Sequence, residues 1–337
     1  MTLPGHPADA GYDEGAGRAF RQEFGDRFRD LRFLVTGATG FVGLNLCPLL
    51  QSLGAQVVGA ALPDSKGSTP TPGWVLPVDL TDEDAARRLV EAAQPDLVVH
   101  LAGLVDTRQS PDRVLPTLSH NLLGSINLLA SLVGTRCRRV VLVASSEMPR
   151  PGVFPTSPYA ASKLAMVSYA GMFHTLYNVP VVIARPHLLY GPHQPPDKLI
   201  PYLVRCGMEH SPPRLSSGKR VCDPTYVLDF VRALLYMARS DAALGLTVDV
   251  GTGTGITVAQ IAGIVLQRMG SDLRPVLSAI PDRIGEADQV ADIRQTESVL
   301  GWRPVWSLEA GIDHTIEWYR SSRDSGRGMA PTFWEDP

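Results

Sequence analysis

Residues 33–43 read FLVTGATGFVG, a short apolar run that leads into a turn with glycines at positions 37, 40 and 43. An apolar-periodic stretch follows at 44–53, so the pattern predicts a strand, a tight turn and a helix. Glycines at this GxxGxxG spacing permit the turn and let a pyrophosphate approach the backbone. The helix N-terminus offers unpaired N–H groups to phosphate oxygens. We therefore predict a dinucleotide cofactor here. Its expected contacts are Gly37, Thr39, Gly40, Phe41, Val42 and Gly43.

Beyond the turn, short β-branched runs alternate with longer amphipathic stretches. The runs lie at 33–35, 56–58, 97–99, 140–143 and 181–183. Apolar runs of this length, separated by helical segments, indicate parallel strands that crossover helices bury on both faces. The sequence thus predicts an α/β fold, a Rossmann-like doubly wound parallel sheet. After about residue 192 the chain changes to Pro-rich turns and isolated helices, which is typical of a smaller lobe that covers a substrate.

Length and composition exclude several classes of protein. The 337 residues correspond to roughly two domains. A net charge of −3 disfavours a nucleic-acid-binding protein, because neutralising a phosphate backbone needs a basic bias. No window approaches the ~20 apolar residues of a membrane span, and the N-terminus lacks the pattern of a signal peptide. The four cysteines are far apart and lack CxxC spacing, so we expect reduced thiols in a cytoplasmic protein.

The N-terminal 30 residues precede the first strand and are predicted to form a partly disordered extension. Within this extension Phe20, Phe24 and Phe28 recur every four residues, which places their rings on one helical face, although Gly25 weakens that helix. We expect the ring stripe to dock on the chain's own surface. A dimer contact is the alternative.

The stretch SPYAASK at 157–163 carries the predicted chemistry. Tyr159 and Lys163 are four residues apart, so on a helix they share one face. An adjacent ammonium and a cationic nicotinamide favour the phenolate of a tyrosine, which can then take a hydroxyl proton as hydride leaves. The preceding strand ends in ASSE, and residues at the carboxyl ends of parallel strands face the cofactor. Ser145 is thus expected to bond the same substrate oxygen, and Glu147 is either a proton-transfer base or a loop carboxylate.

The end of the second strand leaves the type of cofactor open. An acidic residue there would accept the ribose 2′-hydroxyl of NAD, whereas a basic residue would favour the 2′-phosphate of NADP. The sequence at this point is Gly59-Ala60-Ala61, and Asp64 and Lys66 lie slightly further on. Either NAD or NADP therefore fits the sequence. We expect no metal, because His187 and His193 have no third ligand at a recognisable spacing.

Taken together, the motifs resemble those of the extended short-chain dehydrogenase/reductase family, in particular its nucleotide-sugar epimerases, 4,6-dehydratases and 4-ketoreductases. The resemblance covers roughly residues 32–320. It rests on TGATGFVG, VDLTD, HLAG at 100–103, Asn121 with Gly124, ASSE, SPYAASK, ARPHLLYGPHQ, DPTYVLDFVRA, DVGTGTGITVAQIA, PDRIGE and LGWRPVWSLEAGIDHTIEWY.

The resemblance implies a role for individual residues. Ser145, Tyr159 and Lys163 would form the catalytic triad, Asp79 would contact the adenine, Arg283 a phosphate, and Glu286 the nucleotide ribose. The further cofactor contacts implied are Leu80, Leu101, Ala102, Gly103, Asn121 and Pro186, in addition to Tyr159 and Lys163. The substrate contacts implied are Ser146, His187, Leu188, Arg220, Tyr226, Arg283 and Glu286.

The chain departs from the family pattern at three places on the substrate side. Met148-Pro149-Arg150 stands where a Tyr-Gly turn is usual, and His187 and Leu188 stand where an aromatic residue and an Asn are usual. Cys222 replaces an Arg, although Lys219 and Arg220 are near enough to substitute for it. These departures predict intact cofactor chemistry and an atypical sugar or nucleotide.

These observations predict an NAD(P)-dependent enzyme that transfers hydride at C4 of a nucleotide-linked sugar, as a 4-epimerase or a 4-ketoreductase. The alternatives are a 4,6-dehydratase or decarboxylase that uses Glu147, a ketone reductase of the extended family, and a non-catalytic NAD(P)-binding protein. By resemblance, helices near 115–134 and 159–176 would pair in a homodimer.

The domain boundaries expected from the sequence divide the chain into four parts. They are an extension at 1–30, a cofactor domain at 31–190, a substrate lobe at 191–325 with some segments that return to the sheet, and a tail at 326–337.

Overall fold

The computed structural model describes residues 14–63, 74–149 and 151–324. Asp64, Lys66, Arg150 and the tail at 326–337 therefore lie outside the described residues. The helices are α1 Glu14–Phe24, α2 Phe41–Ser52, α3 Glu83–Ala93, α4 Val114–Thr117, α5 Gly124–Ser131, α6 Pro158–Tyr177, α7 Leu199–Met208, α8 Val227–Met237, α9 Val258–Arg268, α10 Ile293–Leu300 and α11 Leu308–Asp324. The strands are β1 Arg32–Thr36, β2 Gln56–Ala61, β3 Val75–Pro77, β4 Leu97–His100, β5 Arg139–Val143, β6 Val181–Pro186, β7 Leu188–Tyr190, β8 Val221–Cys222, β9 Pro224–Tyr226, β10 Thr247–Val250 and β11 Ile256–Thr257.

The chain divides into two compact units. The first unit comprises residues 1–186, 231–249 and 294–302, and the second comprises 187–230, 250–293 and 303–337. The first unit therefore consists of three separate stretches of sequence.

The first unit contains a seven-stranded sheet in the order β10-β6-β5-β4-β1-β2-β3. The strands from β6 through β3 in this order run parallel to their neighbours. Valines of the central strands are fully buried, among them Val98, Val99, Val140 and Val141. Side chains buried on both faces explain why these strands read as continuous apolar runs instead of alternating ones. The predicted doubly wound α/β fold is confirmed.

Helix α1 and the turn that follows it pack against the rest of the first unit through the aromatic stripe. Phe20, Phe24 and Phe28 are all buried, and the Phe24 ring lies 5.5 Å from that of Tyr236 on α8. Glu23 accepts hydrogen bonds from the Arg232 guanidinium (2.8 Å) and the Tyr236 hydroxyl (2.7 Å). The predicted docking of the ring stripe on the chain's own surface is thus confirmed for the described residues 14–30. The helix ends at Phe24 because the next residue is a glycine with φ of 54°.

The second unit combines short strand pairs with helices α7, α9 and α11. Strands β7 and β9 pair in parallel, and β8 and β11 pair antiparallel. The fully buried Asp223 organises this unit, because its carboxylate accepts backbone N–H bonds from Thr252 (2.8 Å), Gly253 (2.8 Å) and Ala291 (3.1 Å). Among the helices of the described residues, none has the length and apolar character needed to cross a membrane.

Candidate active site

The glycine turn between β1 and α2 is closely packed against backbone. Gly37 has φ of 70°, and a Cβ there would lie 2.7 Å from the backbone nitrogen of Ala102. A Cβ on Gly43 would lie 2.5 Å from the carbonyl oxygen of Gly37. Real Cβ contacts are longer, so both positions require glycine. The turn is therefore fixed in a shape that no other residue type permits at these two positions.

The N-terminus of α2 opens toward solvent just after this turn. Gly40 is the N-cap residue, and no side chain of the described residues caps the helix. Thr39 and Gly40 are exposed, whereas Phe41 and Val42 in the first helical turn are half-buried. Uncapped N–H groups at the start of a twelve-residue helix form an anion-binding cradle. This cradle fits the pyrophosphate of a dinucleotide cofactor.

The outer strands carry the residues expected near the adenosine half of the cofactor. Asp79 lies just after β3 and accepts hydrogen bonds from the backbone nitrogen (2.9 Å) and hydroxyl (2.8 Å) of Thr81. Leu80 beside it is buried. Strand β2 ends at Ala61, and the Trp74 ring packs across Gly59, where a Cβ would lie 2.8 Å from the indole. Sequence reasoning missed Trp74, which lies apart from every recognised motif.

Helix α6 begins at a defined residue and so fixes the position of the predicted Tyr–Lys pair. The Ser157 hydroxyl accepts a hydrogen bond from the backbone nitrogen of Ala160 (3.1 Å), and Pro158 occupies the first turn. Tyr159 therefore lies in the first turn of α6, and Lys163 follows one turn later. Both side chains are buried. The Tyr159 hydroxyl is hydrogen-bonded to the Ser145 side chain, and Lys163 Nζ donates to the carbonyl of Val143 at 2.8 Å.

Burial shifts the proton affinity of both groups toward their neutral forms. Desolvation raises the pKa of Tyr159 to about 12, the Ser145 hydrogen bond lowers it in part, and the negative charge of Glu147 raises it. Desolvation lowers the pKa of Lys163 to about 8. The tyrosine therefore keeps its proton at neutral pH in the ligand-free protein. Its ionisation needs additional positive charge, as the oxidised nicotinamide of a bound dinucleotide would provide.

A π-helical turn at Leu118–Leu123, between α4 and α5, holds Asn121 beneath α6. Asn121 is fully buried, and its Oδ1 accepts from the backbone nitrogen of Leu104 at 2.6 Å. Its Nδ2 donates to the Ser162 hydroxyl at 3.0 Å, and that hydroxyl donates to the Tyr159 carbonyl at 2.8 Å. A Cβ on Gly103 would lie 2.9 Å from Asn121 Oδ1. The segment after β4, which includes Leu101 and Ala102, is thereby tied to the helix that carries Tyr159.

The end of β5 brings three further predicted residues near this centre. Ser145 Oγ accepts a hydrogen bond from the backbone nitrogen of Glu147 at 3.1 Å. The backbone nitrogen of Ser146 donates to the carbonyl of Pro186 at 3.0 Å, which links this strand end to the end of β6. Glu147 is half-buried and close enough to Tyr159 for its charge to act on the phenol.

In the second unit, three of the residues predicted to bind substrate lie together. Arg220 Nη1 donates to Glu286 Oε1 at 2.6 Å, and its Nη2 donates to Gln289 at 3.0 Å. Arg283 lies 3.9 Å from the same carboxylate and is half exposed. The planar donor sets of Arg220 and Arg283 suit a phosphate or diphosphate group.

The other predicted substrate residues have different surroundings. The backbone nitrogen of Leu188 donates to the carbonyl of Asp223 (3.1 Å), and that of His187 donates to the carbonyl of Val250 (3.0 Å). Both side chains are half-buried. Tyr226 is 2% exposed, and its hydroxyl is hydrogen-bonded to the His314 ring. The Tyr226 hydroxyl thus has a hydrogen-bond partner within the second unit. No three His, Cys, Asp or Glu side chains among residues 14–63, 74–149 and 151–324 are grouped to hold a metal ion.

Four further buried polar residues support helix α6, and the sequence motifs assigned no role to any of them. They are Thr36, His100, Ser125 and Ser162. A partial signal was present, since Ser125 follows Asn121 by four residues and Ser162 follows Tyr159 by three, which are helical spacings.

The first turn of the parallel sheet leaves helix N–H groups uncapped, and a buried Tyr–Lys pair lies beside a strand that ends in serine. This arrangement suits dinucleotide-dependent hydride transfer. The chain matches the model of the NAD dependent epimerase/dehydratase family over residues 33–251, which is more than half of its length. It belongs to that family, and the resemblance found from the sequence motifs is confirmed. The chain is therefore an NAD-dependent enzyme of the epimerase/dehydratase type.

Individual relatives agree with this assignment. The chain is 29% identical to a probable dTDP-glucose 4,6-dehydratase from Sinorhizobium fredii, over 86% of this chain and 93% of the relative. It superposes on an epimerase from Methanothermobacter thermautotrophicus with a TM-score of 0.81 and 26% identity, covering 91% of this chain and 97% of the other. The UDP-glucose 4-epimerase of Thermotoga maritima, solved with UDP-glucose, gives a TM-score of 0.78 and 25% identity, covering 86% and 99%.

Proposed function

We propose that this enzyme moves a hydride between NAD and C4 of a nucleotide-linked sugar, as a 4-epimerase or a 4-ketoreductase. The observation that carries the proposal is the Tyr159 hydroxyl, which is buried, hydrogen-bonded to Ser145 and one helical turn from Lys163. Relatives named as acting on dTDP-glucose and UDP-glucose support the substrate class.

The chemistry assigns one proton to Tyr159. Bound NAD would supply the hydride acceptor when a C4 alcohol is oxidised. The hydroxyl proton would then pass to the Tyr159 oxygen, so that C4 becomes a ketone. Ser145 bonds the same substrate oxygen and keeps it within reach of the phenol. Lys163 places a positive charge one turn away, which favours the phenolate needed to accept the proton. Reduction reverses each transfer.

The cluster of Arg220, Arg283 and Glu286 is proposed to bind the nucleotide end of the substrate. Glu286 holds the Arg220 guanidinium in place at 2.6 Å, and the half-exposed Arg283 offers its planar set of donors to a diphosphate. In calorimetric titrations, an Arg283→Ala variant should weaken the binding of a nucleotide sugar far more than it weakens the binding of NAD. The exposed Arg274 of the same unit provides the control variant, Arg274→Ala, which should change neither affinity. Equal weakening of both ligands by Arg283→Ala would contradict the assignment.

A 4,6-dehydratase is the second candidate, and Glu147 favours it. Its carboxylate raises the pKa of Tyr159, so it acts electrostatically on the group that handles the C4 proton. A dehydratase needs a base at C5 and a proton for the departing C6 hydroxyl, and a carboxyl group can supply both in turn. Glu147→Gln should then abolish loss of water while oxidation at C4 persists.

The decisive experiment incubates the enzyme with UDP-, GDP-, dTDP- and CDP-sugars, with and without reduced cofactor, and reads the products by mass spectrometry and NMR. An unchanged mass with inverted C4 indicates an epimerase, loss of one water a dehydratase, and gain of two hydrogens a reductase. Tyr159→Phe should abolish every such reaction. Tyr169→Phe removes a phenol exposed on the same helix and should retain full turnover. Turnover by Tyr159→Phe would refute the role of Tyr159.

We further propose a cytoplasmic homodimer. Helix α6 packs against α4, α5 and the π-helical turn between them. Large apolar side chains on these elements are exposed in the single chain, including Leu115, Leu118, Leu164 and Leu176. Pairing of two copies would bury these side chains. The four free, buried cysteines support a reducing compartment. Sedimentation equilibrium should give twice the chain mass, and Leu115→Asp should reduce it to the chain mass.

A further inference from the structure

His100 lies at the centre of the first unit and takes part in none of the chemistry described above. It is the last residue of β4, is 2% exposed, and stands opposite Thr36, the last residue of β1, in the parallel register. Its Nδ1 lies 2.7 Å from the Thr36 hydroxyl, and its Nε2 lies 2.8 Å from the Ser125 hydroxyl on α5. Both ring nitrogens are therefore engaged.

The hydrogens available on these groups fix which atom donates and which accepts in every hydrogen bond of the series. The Ser125 hydroxyl donates its one hydrogen to the carbonyl of Asn121 at 2.6 Å, so it accepts from His100 Nε2–H. His100 Nδ1 is then an acceptor, and it takes the hydrogen of the Thr36 hydroxyl. Thr36 Oγ1 in turn accepts from the backbone nitrogen of Ala102 at 3.3 Å. All donors point the same way, which requires a neutral imidazole with its hydrogen on Nε2.

The two ends of this chain lie at the two halves of the site. At one end, the backbone nitrogen of Ala102 is the atom that a Cβ on Gly37 would approach to 2.7 Å, so it packs against the glycine turn. At the other end, Asn121 continues through Ser162 to the carbonyl of Tyr159 in the catalytic helix. A single histidine thus connects the phosphate-binding turn to the helix that holds the proton-transferring tyrosine.

The surroundings of His100 keep the ring neutral. Burial, together with the nearby positive charge of Lys163, lowers the pKa of His100 to about 3. A proton on Nδ1 would oppose the Thr36 hydroxyl donor and place a second cation near the Lys163 ammonium.

We propose that His100 is a positioning residue that holds the glycine turn and the Tyr159 helix in register through a one-way chain of hydrogen bonds from Ala102 to Asn121. The change in kcat that this proposal predicts rests on the proposed function. The consequence for cofactor binding and for the protonation of the ring holds whatever the sugar substrate is.

The test compares three variants in the full chain. His100→Phe keeps a ring of similar size but provides neither donor nor acceptor, whereas His100→Gln can still accept from Thr36 and donate to Ser125. Val99→Ala creates a cavity at the neighbouring fully buried residue of β4 without touching the hydrogen-bond chain, and it serves as the control for lost stability. Each variant is assayed for NAD affinity by calorimetry, and for kcat and KM with whichever nucleotide sugar the enzyme turns over.

His100→Phe is expected to weaken NAD binding at least tenfold and to lower kcat at least tenfold. The KM for the sugar nucleotide should change less than threefold. His100→Gln should recover most of both losses, and Val99→Ala should show neither. Nitrogen-15 NMR of the imidazole should show the Nε2–H tautomer persisting to pH 5. NAD affinity in His100→Phe equal to that in Val99→Ala, or an Nδ1–H tautomer, would overturn the proposal. If no sugar nucleotide is turned over, the proposed function fails while the NAD and NMR results still decide this inference.

Discussion

The buried ammonium of Lys163 predicts that the ligand-free enzyme becomes more stable as the pH rises from 7 to 9. Its pKa is about 8 in the folded protein, compared with 10.5 for a free lysine. Between these values the unfolded chain holds a proton that the folded protein has released, so raising the pH favours the folded state. From the two pKa values, the gain in unfolding free energy between pH 7 and pH 9 is on the order of 1 kcal/mol, out of roughly 3 kcal/mol over the whole range.

The assay is urea unfolding at pH 7, 8 and 9, followed by far-UV circular dichroism on protein freed of nucleotide. Other groups also titrate in this range, so the quantity of interest is the difference between the wild type and Lys163→Met. Methionine is also unbranched, is one atom shorter than lysine, and removes the charge. The wild type should gain on the order of 1 kcal/mol relative to the variant over these two pH units. Parallel pH curves would refute the reasoning, because they would mean that burial does not disfavour the charged ammonium.

Three further predictions follow from single contacts. Gly37 has φ of 70°, and a Cβ there would lie 2.7 Å from the backbone nitrogen of Ala102, so Gly37→Ala should weaken NAD binding more than tenfold in calorimetry. Unchanged affinity would contradict the described turn. Phe24→Ala should cost ~3–5 kcal/mol of unfolding free energy because it empties a buried ring site, whereas a loss below ~1 kcal/mol would mean that α1 is not docked in solution. Asp223→Asn should cost ~2–3 kcal/mol by chemical denaturation, since three N–H donors lose a charged acceptor; a neutral effect would count against that role.

The sequence predicted those parts of the fold and site that depend on local patterns. The runs at 97–99 and 140–143 predicted buried parallel strands, because side chains buried on both faces leave no alternation. The four-residue spacing of Tyr159 and Lys163 predicted a shared helical face, and both side chains are brought to the end of β5. Glycine spacing likewise predicted the tight turn between β1 and α2. In each case a short stretch of chain contains all the information needed.

Contacts between distant residues could not be predicted in this way. Thr36 and His100 are 64 residues apart, and only the parallel register of β1 and β4 places one opposite the other. Tyr226 is hydrogen-bonded to His314, which lies 88 residues away, and no local pattern indicates that pairing. Arg220 and Glu286 were both named from motifs, yet the ion pair between them emerges only once the second unit is folded.

The division of the first unit into three stretches of sequence limits how this enzyme can be divided into fragments that fold. Strand β10 and parts of α8 and α10 belong to that unit, although they are encoded after residue 226. Asp249 on β10 pairs with Arg185 on β6, so the edge of the sheet is closed by a segment encoded 64 residues downstream. A gene fragment that stops near residue 190 would leave β6 as an unprotected edge and Arg185 without its carboxylate. Such a fragment should aggregate, whereas a fusion that joins 186 directly to 231–249 and 294–302 encodes every described strand of the sheet except Val250, the last residue of β10.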